Sequence, residues 1–231
     1  MSIQNFTDFC AVLLESGFSM GGGNDKGIYA VIPFGWDEQG FADSPVRWHT
    51  GDPETDPWEW RMRVLEERGD IAYAKLFFRV SGYISAEWYP YFLAVRRGRA
   101  SFADAYYSGT ISHEAKRIYD TVSQAGAMPL HEIKARAGFG RESGAQFERA
   151  LTELQTRMFL TMCGRAQKIN QFGEGYGWNS TVFTTVEDFW AKRSVALPAV
   201  DAGEAYRRIE TQILLLNPRA EAKKIAKFIK G

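Results

Sequence analysis

The sequence predicts an α+β fold, mostly α, and three observations carry that expectation. Apolar residues recur at helical spacing in three short runs across residues 112–158. Two β-prone stretches follow at residues 159–163 and 181–184, joined by a glycine-rich link. Further helical periods flank this block on both sides. Three helices followed by a hairpin is the order of a winged helix-turn-helix core, which offers one helix and one β-ribbon to a duplex or to another protein.

In chain order, residues 1–110 read as an aromatic-rich helical and irregular N-terminal region. Phe6, Phe9, Cys10, Leu13 and Leu14 mark one helical face that stops at Gly17. Gly21-Gly22-Gly23-Asn24-Asp25-Lys26-Gly27 is a turn or mobile loop. Residues 28–34 suit a short strand, and residues 35–57, rich in Asp, Gly and Pro, an irregular loop. Asp56-Pro57 caps and starts a helix carrying Trp58, Met62 and Leu65. A second aromatic cluster, Tyr83, Trp88, Tyr89, Tyr91 and Phe92, is interrupted by Pro90.

Residues 111–190 form the expected winged-helix domain. Ala115, Ile118, Tyr119 and Val122 fall at i, i+3, i+4 and i+7, with Ser112 as cap and Gly126 as terminator. The second helix starts at Pro129, whose fixed φ suits a first helical position, and buries Leu130, Ile133 and Ala137. Gly138-Phe139-Gly140 makes a tight turn. Ser143 caps the third helix, which turns Phe147, Ala150, Leu151, Leu154 and Met158 inward. The hairpin link carries Arg165, Lys168, Gly173, Gly175, Gly177 and Trp178 at the tip of the wing.

Residues 191–231 read as a C-terminal helical hairpin. Residues 201–216 bury Ala205, Ile209, Ile213 and Leu216. Asn217-Pro218 restarts a helix with Ala222, Ile225 and Ile229 inward and Lys223, Lys227 and Lys230 outward. That basic stripe suits phosphates or a helical dimer contact, though a docked tail with a solvated face is the plainer reading.

Composition bounds the function. The formal net charge is zero, but residues 1–70 hold 5 basic and 13 acidic side chains, so the rest is basic by the same margin. Such asymmetry orients a protein on an anionic partner, or reflects solvated surface alone. Cys10 and Cys163 read as buried thiols. With no cysteine framework, no signal peptide and no bilayer-length apolar run, the expected location is cytoplasmic, away from membrane.

Catalytic signatures are sparse. Neither glycine run satisfies a dinucleotide or phosphate-loop pattern, since Lys26 and Trp178 stand where a third glycine is needed. His49, His113 and His131 lack metal-ligand spacing, so no metal and no cofactor are expected. Asp52, Glu54 and Asp56 flank a tryptophan-rich helix start. Asp52 and Asp56 are the weak candidates for acid–base work, against a simpler reading as a capping cluster. Trp36, Trp48, Trp58, Trp60 and Trp88, interleaved with Arg47, Arg61, Arg63 and Lys75, could stack bases but fit core positions better.

The third helix carries the site expectation. Its outward Gln146, Arg149, Thr152 and Arg157, with Arg165 and Lys168 from the wing, form the candidate DNA-binding set. Glu142, Glu148 and Glu153 oppose phosphates, and residues 112–168 hold 9 basic against 6 acidic side chains. A core helix of a protein-interaction module is the competing reading.

A family resemblance bears on this choice. Asp56-Pro57-Trp58-Glu59-Trp60-Arg61, Ala74-Lys75-Leu76-Phe77, Tyr83-Ile84-Ser85 and Tyr89-Pro90-Tyr91-Phe92 resemble a bacterial group called AlkZ-related. So do Gly109-Thr110-Ile111-Ser112 with Ala115-Lys116-Arg117-Ile118-Tyr119, and Phe147-Glu148-Arg149-Ala150-Leu151-Thr152-Glu153-Leu154-Gln155. The resemblance implies kinship with winged-helix DNA glycosylases that excise alkylated or crosslinked purines. Those enzymes pair a glutamine with a Gln or Asp two positions on, and no glutamine of this chain is so followed, Gln146-Phe147-Glu148 being nearest. The scaffold therefore does not bring the activity with it.

The expected function is binding of double-stranded DNA in repair or transcription regulation. A base-excision enzyme using Asp52 or Asp56, and a protein-interaction or homodimerisation module, are the alternatives.

Overall fold

The computed structural model describes residues 2–35, 42–170 and 172–231. Among the described residues the chain is α+β, with ten helices and two three-stranded antiparallel sheets. The order opens with α1 (Phe6–Ser16), β1 (Phe18–Met20), α2 (Pro57–Glu67), β2 (Ile71–Phe77), β3 (Val80–Ser85) and α3 (Tyr89–Arg96). It continues with α4 (Phe102–Tyr107), α5 (His113–Ala125), β4 (Ala127–Pro129), α6 (Leu130–Arg136) and α7 (Gly144–Thr156). It closes with β5 (Leu160–Ile169), β6 (Gly175–Thr185), α8 (Val186–Ala191), α9 (Ala202–Leu216) and α10 (Ala222–Lys230). Two compact units result: Met1–Gly98 joined by Leu197–Gly231, and Arg99–Ala196.

The first unit is built around the sheet β1-β3-β2. Asn5 caps α1 by accepting the Asp8 amide, and Gly17 ends it at φ 86°, its amide donating to the Leu13 carbonyl. A Cβ at Gly17 would fall 2.3 Å from the Trp88 indole, so glycine is needed for space as well as for φ. Central β3 carries Gly82, where a Cβ would meet the Phe77 ring at 2.3 Å. Phe18, Phe77, Phe92 and Phe228 fill the core behind it, the rings of Phe77 and Phe228 stacked at 3.8 Å. Arg96 of α3 ties this core to α10: its guanidinium donates to the carbonyls of Leu76 (2.7 Å), Phe228 (2.9 Å) and Ile229 (3.0 Å). Burial pushes that guanidinium down to about 9, which leaves it charged at neutral pH.

Several expectations for this unit are corrected. Residues 28–34 form no strand. They lie against β1 through two isolated bonds, the Met20 amide to the Tyr29 carbonyl and the Val31 amide to the Ser19 hydroxyl. In α2 the buried tryptophan is Trp60, which packs on Phe9 at 4.9 Å. Trp58 is 43 % exposed with the Arg61 guanidinium 3.2 Å above its ring. Met62 is half-buried while Val64 and Leu65 are buried. Pro90 does not interrupt its cluster but sits in the first turn of α3, where no amide is required. Leu216 is half-buried, α10 starts at Ala222, and Phe228 joins Ile225 and Ile229 on its inward face. Trp36 and residues 37–41 of the expected loop lie outside the described residues.

The second unit packs α5, α6 and α7 with the sheet β4-β6-β5. Ser112 caps α5 by accepting the Ala115 amide, and Gly126 ends it at φ 80°. Pro129 is the last residue of β4, opposite Val182, and only the N-cap of α6. Its φ suits either role, and it stands on an edge strand that asks no amide of it. Ser143 makes no side-chain cap, its hydroxyl donating instead to the Gly140 carbonyl at 3.2 Å. Met158 is buried but lies past α7, at φ 60°, where the chain turns into β5. The hairpin strands are two to nearly three times the expected length, reaching residues 169 and 175.

Candidate nucleic-acid interface

The turn between α6 and α7 fixes the angle at which α7 leaves its neighbour. Arg117, reaching over from α5, donates to the carbonyls of Ala137 and Gly138. Its guanidinium also covers the Phe139 ring at 4.4 Å. A Cβ at Gly138 would stand 2.7 Å from that guanidinium, and φ there is 71°. Phe139 packs edge-on against Phe147 at 5.2 Å, anchoring the first turn of α7.

With Phe147, Ala150, Leu151, Leu154 and Gln155 buried, α7 turns Ala145, Arg149, Thr152 and Thr156 outward in one line at i, i+4, i+7 and i+11. Gln146 is exposed beside Arg149, one turn earlier; Thr152 is half-buried. Arg157 is the half-buried C-cap. The structure thus brings Gln146, Arg149 and Thr152 onto one surface and sets Arg157 at its end.

The acidic residues expected to oppose phosphates are not equivalent. Glu153 turns back to α5, where its carboxylate accepts the Ser112 amide at 3.1 Å and the Ser112 hydroxyl at 2.6 Å. Its charge serves the positive end of a helix. Glu142 and Glu148 are exposed.

The β5–β6 ribbon extends beyond the core: residues 175–179 of β6 are exposed, while β5 alternates from Arg165 to Ile169 between exposed and half-buried positions, Lys168 being half-buried. Arg165 pairs with Thr181 and Lys168 with Tyr176. Strand alternation places Arg165 with Gln167 and Ile169 on one side, and Lys168 with Ala166 on the other. The two cations are therefore not brought to the same side. Phe172, Tyr176 and Trp178 are exposed at the far end. Trp178 was legible as part of the expected hairpin link; the exposure of Phe172 and Tyr176 was not anticipated, and aromatic residues inside a glycine-rich link were the available signal.

The carboxylate candidates belong to the first unit and are taken up locally. Asp56 is fully buried, and its carboxylate accepts amides from His49 (3.0 Å), Gly51 (2.8 Å) and Trp58 (2.8 Å). Asp52 is exposed, its carboxyl held below the usual range by the Glu54 amide and then the Thr55 hydroxyl. Among the described residues no three His, Cys, Asp or Glu side chains gather as a metal site. No helix among them is long and apolar enough to cross a membrane. A groove of about 460 Å³ in the first unit is lined by Trp88, Glu204, Arg207, Arg208, Thr211 and Gln212, without either candidate carboxylate.

These features define a two-unit α+β protein that presents a polar helix face and an exposed aromatic ribbon on one of its units. The chain belongs to the AlkZ-related family, whose model matches residues 3–230. Neither the curated proteins nor the solved structures contain a match to it.

Proposed function

We propose that the chain binds double-stranded DNA through its second unit, folded as a winged helix-turn-helix. In this reading α7 lies in the major groove, with Gln146, Arg149 and Thr152 toward base edges and Arg157 toward the backbone. The β5–β6 ribbon is the wing. Arg165 and Lys168, on opposite sides of it, each meet the phosphates of one strand of the adjacent minor groove. The carrying observation is the outward line of α7, exposed at Ala145 and Arg149 and half-buried at Thr152 and Thr156, which carries no acidic side chain and follows the turn held by Arg117.

Kinship with the AlkZ-related family supports a role near DNA repair. No chemical step is assigned to Asp52 or Asp56, whose oxygens are engaged in capping and turn formation. Cytoplasmic DNA, with no bound cofactor, is the proposed setting.

The test is fluorescence anisotropy with a labelled duplex of about two helical turns at several salt concentrations. Binding should weaken steeply with salt. Replacing Arg157, Arg165 or Lys168 by Ala should each lower the slope of log K against log salt by about one, whereas Arg149→Ala should weaken binding with little change in that slope. A flat titration at low salt overturns the proposal.

A further inference from the structure

The far end of the β5–β6 ribbon exposes large aromatic rings. Trp178 is 91 % and Phe172 78 % exposed, with Ile169 and Tyr176 more than half exposed beside them. An indole offers a large apolar area, and several large apolar side chains left in water at one end of a ribbon mark a contact surface more often than single scattered ones do.

The display is braced. The Asn170 side-chain carbonyl accepts the amides of Phe172 (2.9 Å) and Glu174 (3.0 Å), while the Asn170 amide donates to the Glu174 carbonyl at 2.9 Å. Between the pairs Ala166–Ser180 and Lys168–Tyr176, β6 spends two more residues than β5, forming a bulge with Gly177 at φ 62°. The Gln167 side-chain amide closes it by donating to the carbonyls of Tyr176 (3.3 Å) and Gly177 (3.4 Å). Gly175 is the residue that leaves room, since a Cβ there would stand 2.9 Å from the Gln167 side chain. Trp178 is thus presented from the bulge.

Charge selects the partner. Along residues 160–185 the ribbon carries Arg165 and Lys168 and one acid, Glu174, whose carboxylate accepts the Asn170 side-chain amide at 3.2 Å. Flat apolar rings flanked by cations match a polyanion that offers π-faces.

We propose that Phe172 and Trp178 form a wedge that stacks on bases of duplex DNA where the base stack is interrupted by a gap, bulge or mismatch. This rests on the duplex-binding reading above and adds to it a preference among duplexes. In intact DNA each base face is already covered, whereas an interruption leaves one open for stacking and lowers the cost of kinking.

Anisotropy with an intact duplex and with the same duplex carrying a two-nucleotide bulge tests both readings separately. The protein should bind the bulged duplex about tenfold more tightly. Trp178→Ala and Phe172→Ala should bring that ratio toward one, and Trp178→Phe should retain most of it. Arg149→Ala should weaken both duplexes equally. A ratio of one in the parent protein overturns the wedge and leaves duplex binding standing. Survival of the ratio in the double variant Phe172→Ala/Trp178→Ala likewise overturns the wedge alone. A self-association that Trp178→Ala abolishes, without any ratio, overturns the wedge in favour of a contact between copies. Failure to bind either duplex overturns both.

Discussion

Glu153 of α7 and Ser112 at the head of α5, 41 residues apart in sequence, are joined by two hydrogen bonds. One carboxylate thereby satisfies an orphan amide and the hydroxyl that itself caps Ala115. Replacing Glu153 by Ala should cost about 1–3 kcal/mol of stability and Ser112→Ala a similar amount, because each removes the charge-assisted hydroxyl–carboxylate bond and one further bond, to the Ser112 amide or from the Ala115 amide. Urea unfolding of each variant checks this.

Glu148 stands on the flank of the outward line of α7 and Arg149 lies on that line. Glu148→Gln should tighten duplex binding by a few fold, about 0.5–1 kcal/mol, and Arg149→Ala should weaken it by a similar amount or more. Titrations at one fixed salt concentration compare them.

The buried carboxylate of Asp56 accepts three amides. Asp56→Ala should destabilise the protein by about 2–4 kcal/mol and Asp56→Asn by about half of that, since one oxygen acceptor remains. Asp52→Asn, at an exposed turn, should stay within about 0.5 kcal/mol of the parent. Denaturation midpoints separate the two sites.

Arg96 supplies donors to three carbonyls in the aromatic core. Arg96→Met should cost about 3 kcal/mol by leaving those oxygens unpaired, and Arg96→Lys should rescue little, because a single ammonium does not reproduce the fork. Thermal and urea unfolding measure the order of the three proteins.

Burial pushes the Cys10 thiol up to about 11 and the Cys163 thiol also upward. The native state then holds the Cys10 proton more tightly than the unfolded chain, so this contribution to stability is intact below pH 9 and declines as pH rises through 11. Relative to Cys10→Ala, the parent should lose stability between pH 9 and 11, as urea midpoints would show. Thiol reagents at about pH 8 should label the folded protein slowly and the unfolded protein fast.

How far residues announced their places depended on what covered them. α5 and α7 are half-exposed helices, so their apolar stripes stand out from polar neighbours, and Arg149 was readable as outward. β2 is buried almost throughout, which erases the alternation that identifies a strand and leaves a run that reads either way. Asp56-Pro57 fixed the start of α2 in the sequence, but choosing between Trp58 and Trp60 needed the partner face formed by Phe6 and Phe9. Of the candidate interface, the outward helix positions were local and legible. The Glu153–Ser112 bond and the Arg117 clamp on Gly138 are long-range, and Arg165 and Lys168 face apart because β5 runs on through residue 169, which the glycine-rich link did not announce.

The stack of Phe228 on Phe77 gives the chain a timetable. Synthesis completes Arg99–Ala196 before α10 exists, so the second unit can fold while the first still lacks its closing helix. Until residues 222–230 emerge, Phe77 has no stacking partner and Arg96 lacks two of its carbonyls, leaving a sticky aromatic seat on a nascent chain. A premature stop before α10 would therefore yield a product with one sound half and one aggregation-prone half.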